Sequence, residues 1–329
     1  MYKMLDRRSF IRSVAMAGTT LGLSGYAAAT TIRPGKVKRV GMVGLDTSHS
    51  QVFTRMINEL HPAESSYRVT VAYQPPENRD IIGLYPKIAD AVSKMGVKLV
   101  NSMEALLAAC DVVMLETVDG VPHLDQALEI FKAGKRTFID KPLSATRHGA
   151  QAIVEASEKY GVPFFSSSSL RFDPNVQQVV GGSIGRVLGA DVFTPAKLES
   201  QHLDMAWYAI HGLEMLYTTL GPGCKRVSRI YTENADLITG IWNDGRMATI
   251  RGVRNHPAGI AGTAFGEKGT APLGPFSQKV YLELVKQILS FFDTGIPPVS
   301  PAETLEMFAF MHAADESRRR NGVFCDVDS

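Results

Sequence analysis

Between residues 37 and 166 the chain alternates short apolar runs with amphipathic stretches of helical period, a rhythm that few folds accept. Strands are expected over 38–44, 67–73, 97–100, 111–116, 136–139 and 162–166. Helices are expected over 48–60, 87–94, 102–109, 121–133 and 145–160, with a turn at Pro75-Pro76. Runs this apolar suit strands buried on both faces, and a helix between each pair makes every connection a crossover. Right-handed crossovers then build a doubly wound parallel sheet of Rossmann-like, nucleotide-binding form.

Beyond that the rhythm changes. A helix is expected over 207–220, then strands over 227–231, 237–242, 247–252 and 260–265, then helices over 279–292 and 302–317. Asn243-Asp244-Gly245 between two of the strands is a hairpin signal. Consecutive hairpin-joined strands with flanking helices predict an α+β unit whose open sheet is mainly antiparallel. The expected order is therefore a leader at 1–29, a Rossmann-like domain over 30–145 and an α+β domain for substrate and oligomerisation over 146–329.

The leader reading rests on Lys3, Arg7, Arg8 and Arg12, followed by a small apolar run that closes on Ala27-Ala28-Ala29. Asp6-Arg7-Arg8-Ser9-Phe10 resembles a twin-arginine export signal, which implies a folded passenger in the periplasm. The run is too weakly apolar for a membrane helix, so no stable membrane insertion is expected. Removing residues 1–29 takes away four cations and one acid, turning a net charge of +2 into −1. Such a balance speaks against nucleic acid as a partner. Three well-separated cysteines, Cys110, Cys224 and Cys325, exclude a disulfide scaffold and a zinc ribbon.

Several segments in order resemble the glucose-fructose oxidoreductase, inositol dehydrogenase and MocA (Gfo/Idh/MocA) family. They are Val40-Gly41-Met42-Val43-Gly44, the stretch Thr117 to His123, Lys132-Ala133-Gly134-Lys135, Asp140-Lys141-Pro142, Arg171-Phe172-Asp173-Pro174, and Phe292 to Val299. The resemblance implies an NAD(P)-dependent oxidoreductase that transfers a hydride to or from a secondary hydroxyl or ketone of a sugar or cyclitol. Lys141 would position the substrate oxygen, and His211, on the first helix of the second domain, would move the proton. A dinucleotide would lie over Gly44, Asp46, Thr47, Ser48, His49, Thr117, His123, Asp140 and Pro142. Some relatives cleave glycosides with tightly bound NAD, an alternative enzyme class. A homo-oligomer pairing through the open sheet is a further expectation.

The loop Gly44-Leu45-Asp46-Thr47-Ser48-His49 departs from the glycine pattern, because Asp46 and His49 stand at the second and third glycine positions. A carboxylate beside a pyrophosphate is repulsive, and Gln74-Pro75 supply no acid for a ribose hydroxyl. Three readings stand. Asp46 or Ser48 caps the following helix, the Thr47 and Ser48 hydroxyls make a rearranged phosphate loop, or the loop holds a metal or sugar. A carbohydrate-binding protein without redox chemistry is the matching non-enzyme reading.

Trp207, His211 and Glu214 are spaced to share one helical face, with Trp207 and Glu214 expected toward substrate. Arg171 reads as a substrate clamp or as an ion pair. Acid–histidine pairs involving Asp46, His49, His123, Asp125, His202, Asp204, His211 and Glu214 suit zinc or manganese in type. None has an HxxxH or HExxH spacing, and no metal site is expected from them.

Overall fold

The computed structural model describes residues 37–60, 65–255, 259–276 and 279–327. The expected leader lies outside them. The first sheet holds β1 (Lys38–Val43), β2 (Tyr67–Tyr73), β3 (Lys98–Val100), β4 (Val112–Leu115), β5 (Thr137–Ile139) and β6 (Phe164–Ser166). All pair in parallel in the order β3-β2-β1-β4-β5-β6, the doubly wound arrangement expected. Helices α1 (Ser48–Glu59), α2 (Lys87–Lys94), α3 (Met103–Ala109), α4 (His123–Lys132) and α5 (Arg147–Tyr160) make the crossovers. Because β6 belongs to this sheet, the sheet runs on to Ser166, past residue 145.

The sheet is closed by apolar burial: Val40, Met42, Val43, Val113, Met114 and Leu115 are fully enclosed. Gly41 lets α3 approach β1, since a Cβ there would lie 2.8 Å from Cys110 Sγ. The cap of α1 is Thr47, whose hydroxyl accepts the His49 amide at 3.3 Å. Neither Asp46 nor Ser48 takes that role, because the Asp46 carboxylate is turned inward onto the Val118 amide.

The second sheet runs β12-β11-β7-β10-β9-β8-β13, with β7 (Val187–Pro195), β8 (Cys224–Tyr231), β9 (Ala235–Trp242), β10 (Met247–Val253), β11 (Ala261–Gly266), β12 (Gly269–Leu273) and β13 (Cys325–Asp326). Only the β7–β10 pair is parallel. The Asn243–Gly245 hairpin joins β9 to β10 as expected, with Gly245 at φ +85. Strand β7 was not expected from the sequence; its outward Leu188 and Phe193 blur the alternation that marks a half-buried strand.

Helix α6 (Pro174–Val180) follows a 3-10 turn at Ser169–Phe172. Helices α7 (Ile210–Leu220) and α9 (Pro301–Arg319) pack on the second sheet, against β7 and β8. Helix α8 (Lys279–Thr294) instead returns to the first sheet, where Leu284, Val285, Ile288 and Phe291 join Phe53, Phe138 and Phe165 in one core. The other face of the second sheet exposes Leu188, Phe193, Ile230, Leu237, Met247 and Phe265. No helix among the described residues is long and apolar enough to cross a membrane.

Candidate active site

Parallel strands deliver their C-terminal ends to one edge, and the strand order reverses between β1 and β4, where open α/β sheets place ligands. There the β1–α1 loop brings Thr47, Ser48 and His49, the β5 end brings Lys141, and the segment entering α7 brings Trp207, Tyr208 and His211. They line one cleft of about 380 Å³, together with Ser169, Leu170 and Tyr281.

Lys141 Nζ stands 5.9 Å from the Trp207 ring and 5.5 Å from the Tyr208 ring, within cation–π reach. Burial lowers its pKa below the usual lysine value, against the opposing pull of Asp140 and Glu214. His211 Nδ1 lies 2.7 Å from Ser168 Oγ. Burial, reinforced by the Lys141 charge and by His49, holds its pKa well below 6.5, so the ring is neutral at neutral pH. A cationic donor and a neutral imidazole thus face one space.

Two expectations about α7 need correction, and of the two readings of Arg171 the ion pair is the one seen. Trp207 precedes the helix, which begins at Ile210, so it shares no helical face with His211 and Glu214. Its ring packs edge-on against His202 instead. Glu214 and Arg171 are both buried and ion-paired to each other, and Arg171 also reaches Glu303 at 2.6 Å, so neither contacts a ligand in the cleft. Glu214 Oε1 accepts the Ser168 amide at 2.8 Å. The pair therefore fixes the turn that carries the hydroxyl partner of His211. Forty-three residues separate Arg171 from Glu214, which hides this pairing from the sequence.

The loop residues divide. Ser48 and His49 line the cleft, and Gly44, at φ +90, leaves room for the Thr117 backbone, whose Cα would lie 2.6 Å from a Cβ. His123 is fully buried, with its two ring nitrogens on the Leu143 and Thr117 carbonyls at 3.1 and 2.8 Å, so it braces the sheet edge rather than a cofactor. Thr117 is likewise buried, donating to Gln126 and accepting from Asn78. Pro142 is buried beside Gly120. Asp140 is buried and lies 2.6 Å from His49 Nδ1. Burial works to raise Asp140, yet the His49 ring and then Lys141 hold it below the usual carboxylate range.

One residue at this edge escaped the sequence reading. Glu116, at the end of β4, has no exposed surface and no hydrogen-bond partner on either oxygen. Burial pushes it well above the carboxylate range, and the charges of Asp140 and Asp46 push it further. Asp46 itself is raised to about 6 by burial. The available signal was a lone acid closing an apolar strand, since Glu is almost never fully buried unless paired.

A dinucleotide laid along this edge meets two environments. Over Lys141, Tyr208 and His211 the cleft offers a donor, a neutral base and aromatic faces, which fit a ring and a hydroxylated substrate. At the loop the Leu45 amide is taken by the Gln74 side chain and the Val118 amide by Asp46. Beneath them one Asp46 oxygen and both Glu116 oxygens are buried without partners. The pyrophosphate end does not fit these residues as they stand.

Comparison with known proteins agrees with the fold. Residues 38–168 match the family model described as "Oxidoreductase family, NAD-binding Rossmann fold", that of Gfo/Idh/MocA. An inositol 2-dehydrogenase/D-chiro-inositol 3-dehydrogenase of Shouchella clausii (strain KSM-K16) is 28% identical over 203 residues, 59% of this chain. The match spans 56% of that relative's length. The crystal structure of scyllo-inositol dehydrogenase from Lactobacillus casei with NAD(H) and scyllo-inositol superposes with a TM-score of 0.73 at 17% identity. That match covers 89% of this chain and 100% of the other. Myo-inositol dehydrogenase from the same organism, with NAD(H) and myo-inositol, gives 0.72 at 16% identity, covering 89% and 97%. Its sheet order and second sheet agree with the fold of these structures, and its first six strands match the Gfo/Idh/MocA oxidoreductase family model.

Proposed function

We propose that the protein is an oxidoreductase that interconverts a secondary hydroxyl and a ketone on a sugar or cyclitol, with NAD(H) as its redox partner. The observation that carries this reading is the convergence of Lys141, after β5 of the first sheet, and His211, on α7, on one cleft. The family match supports the reaction class, and the inositol dehydrogenases among the relatives support the substrate class.

The chain's own residues handle the oxygen and the proton. Lys141, as the ammonium, donates to the substrate oxygen and stabilises negative charge as it develops there. His211, in the tautomer that gives Nδ1–H to Ser168 Oγ, keeps Nε2 as the base that removes the hydroxyl proton. Trp207 and Tyr208 beside Lys141 form an apolar wall that strengthens both interactions by thinning water around them.

Nicotinamide reduction with a panel of inositols and free sugars tests this. Lys141→Ala is expected to lower kcat about 10²–10³-fold, and His211→Ala about 10²–10⁴-fold. The blocked loop amides favour one other reading, a carbohydrate-binding protein without redox activity. Polyol binding by calorimetry with no nicotinamide turnover on any substrate would establish that reading and overturn the first.

A further inference from the structure

We propose that the base of the cleft is a divalent-cation site, with the His49 imidazole and the Glu116 and Asp140 carboxylates as its protein ligands. One ligand atom from each lies within 4.8 Å of the others. A zinc or manganese ion about 2.0–2.2 Å from each ligand would hold them roughly 3–4 Å apart, so small side-chain adjustments would close the set on it. Glu116 and Asp140 follow the ends of neighbouring strands β4 and β5, and His49 sits in the first turn of α1 after β1, so the edge of the parallel sheet assembles the set.

An acid cluster alone would not establish a site. Glu116 supplies the second, independent observation, because it is wholly enclosed and aimed into the cluster with both oxygens unpartnered. Protonation would remove its charge but leave an O–H donor and a carbonyl acceptor still unsatisfied. A cation satisfies both oxygens and neutralises the charge together. Asp46, also buried with one oxygen unpartnered, adds negative charge on the same side. His49 Nδ1 and Asp140 Oδ2 already face each other at 2.6 Å, so two of the three ligand atoms are in place.

The ligand chemistry selects the ion. One imidazole and two carboxylates suit zinc or manganese better than the all-oxygen preference of magnesium and calcium. His49 lines the cleft and provides the route of entry. The site stands apart from the oxidoreductase reading and is measurable without substrate.

The test uses the whole protein, freed of metal by a chelator and then gel-filtered after incubation with excess Mn²⁺ or Zn²⁺. Elemental analysis is expected to find close to one cation per chain, and Mn²⁺ is expected to lose its free-ion EPR signal in proportion. Glu116→Gln should weaken retention at least tenfold. His49→Ala, at a partly exposed position, should do the same. Failure of the wild-type chain to retain either ion, or retention undiminished in both variants, would overturn the site.

Discussion

His211 is expected to remain a base at pH values where a solvated histidine is already protonated. Burial is the largest cause, and the positive charge of Lys141 adds to it. A general base acts in its deprotonated form, so a pKa held well below 6.5 leaves kcat/KM level as pH falls through 6.5, with the acid limb lying lower. A pH–rate profile on any accepted polyol checks this; a limb centred at 6.5 would mean that the ring is solvated or that another group takes the proton. The candidacy of Lys141 was legible from Asp140-Lys141-Pro142 after a predicted strand, and that of His211 from its place on the first helix of the second domain, both through the family resemblance. Glu116 was not, since one acid after an apolar run reads simply as the end of a strand. Arg171 and Glu214 looked like ligands because a lone charge in sequence does not show the opposite charge that folding places beside it.

At the scale of elements, the second sheet is tied together by charge as well as by apolar packing. The Arg229 side chain on β8 is fully buried, 2.9 Å from Asp236 on β9, 2.6 Å from Asp315 on α9 and 2.9 Å from Asp204 in the segment before α7. Replacing one partner of such a network strands the others, so Arg229→Met is expected to cost about 3–5 kcal/mol in urea unfolding. A loss below about 1 kcal/mol, the range of exposed pairs, would show that Arg254 and Arg318, which also reach Asp236 and Asp204, carry the compensation. None of this network was readable in advance. Its members spread from 204 to 315, and only the register of β8 on β9 and the packing of α9 bring them together. The first sheet was readable because each strand is a single apolar run and each helix is local. In the second sheet the hairpin at Asn243–Gly245 announced itself through its turn, whereas β7 pairs with strands far along the chain and carries apolar residues on both faces.

Across the whole molecule, the sheet edge that should receive a pyrophosphate also gathers Asp46, Glu116 and Asp140, and a bound cation changes what that edge can hold. Without the cation, the buried acids oppose a dinucleotide's phosphates; with it, the local charge is offset and the two ligands help each other. Such coupling is reciprocal, and an increase of about 5–150-fold in NADH affinity on adding Mn²⁺ is the expected size. Glu116→Gln removes a ligand while mimicking the protonated acid, so it should bind NADH as metal-free wild type does and respond little to Mn²⁺. Calorimetric titration of NADH into both proteins, with and without Mn²⁺, gives four affinities. If all four agree, the acids do not act on the dinucleotide, and the misfit at the loop must lie in the amides occupied by Gln74 and Asp46. If only wild type with Mn²⁺ is strong, the acids beneath the loop are what makes this first sheet depend on a cation for its cofactor.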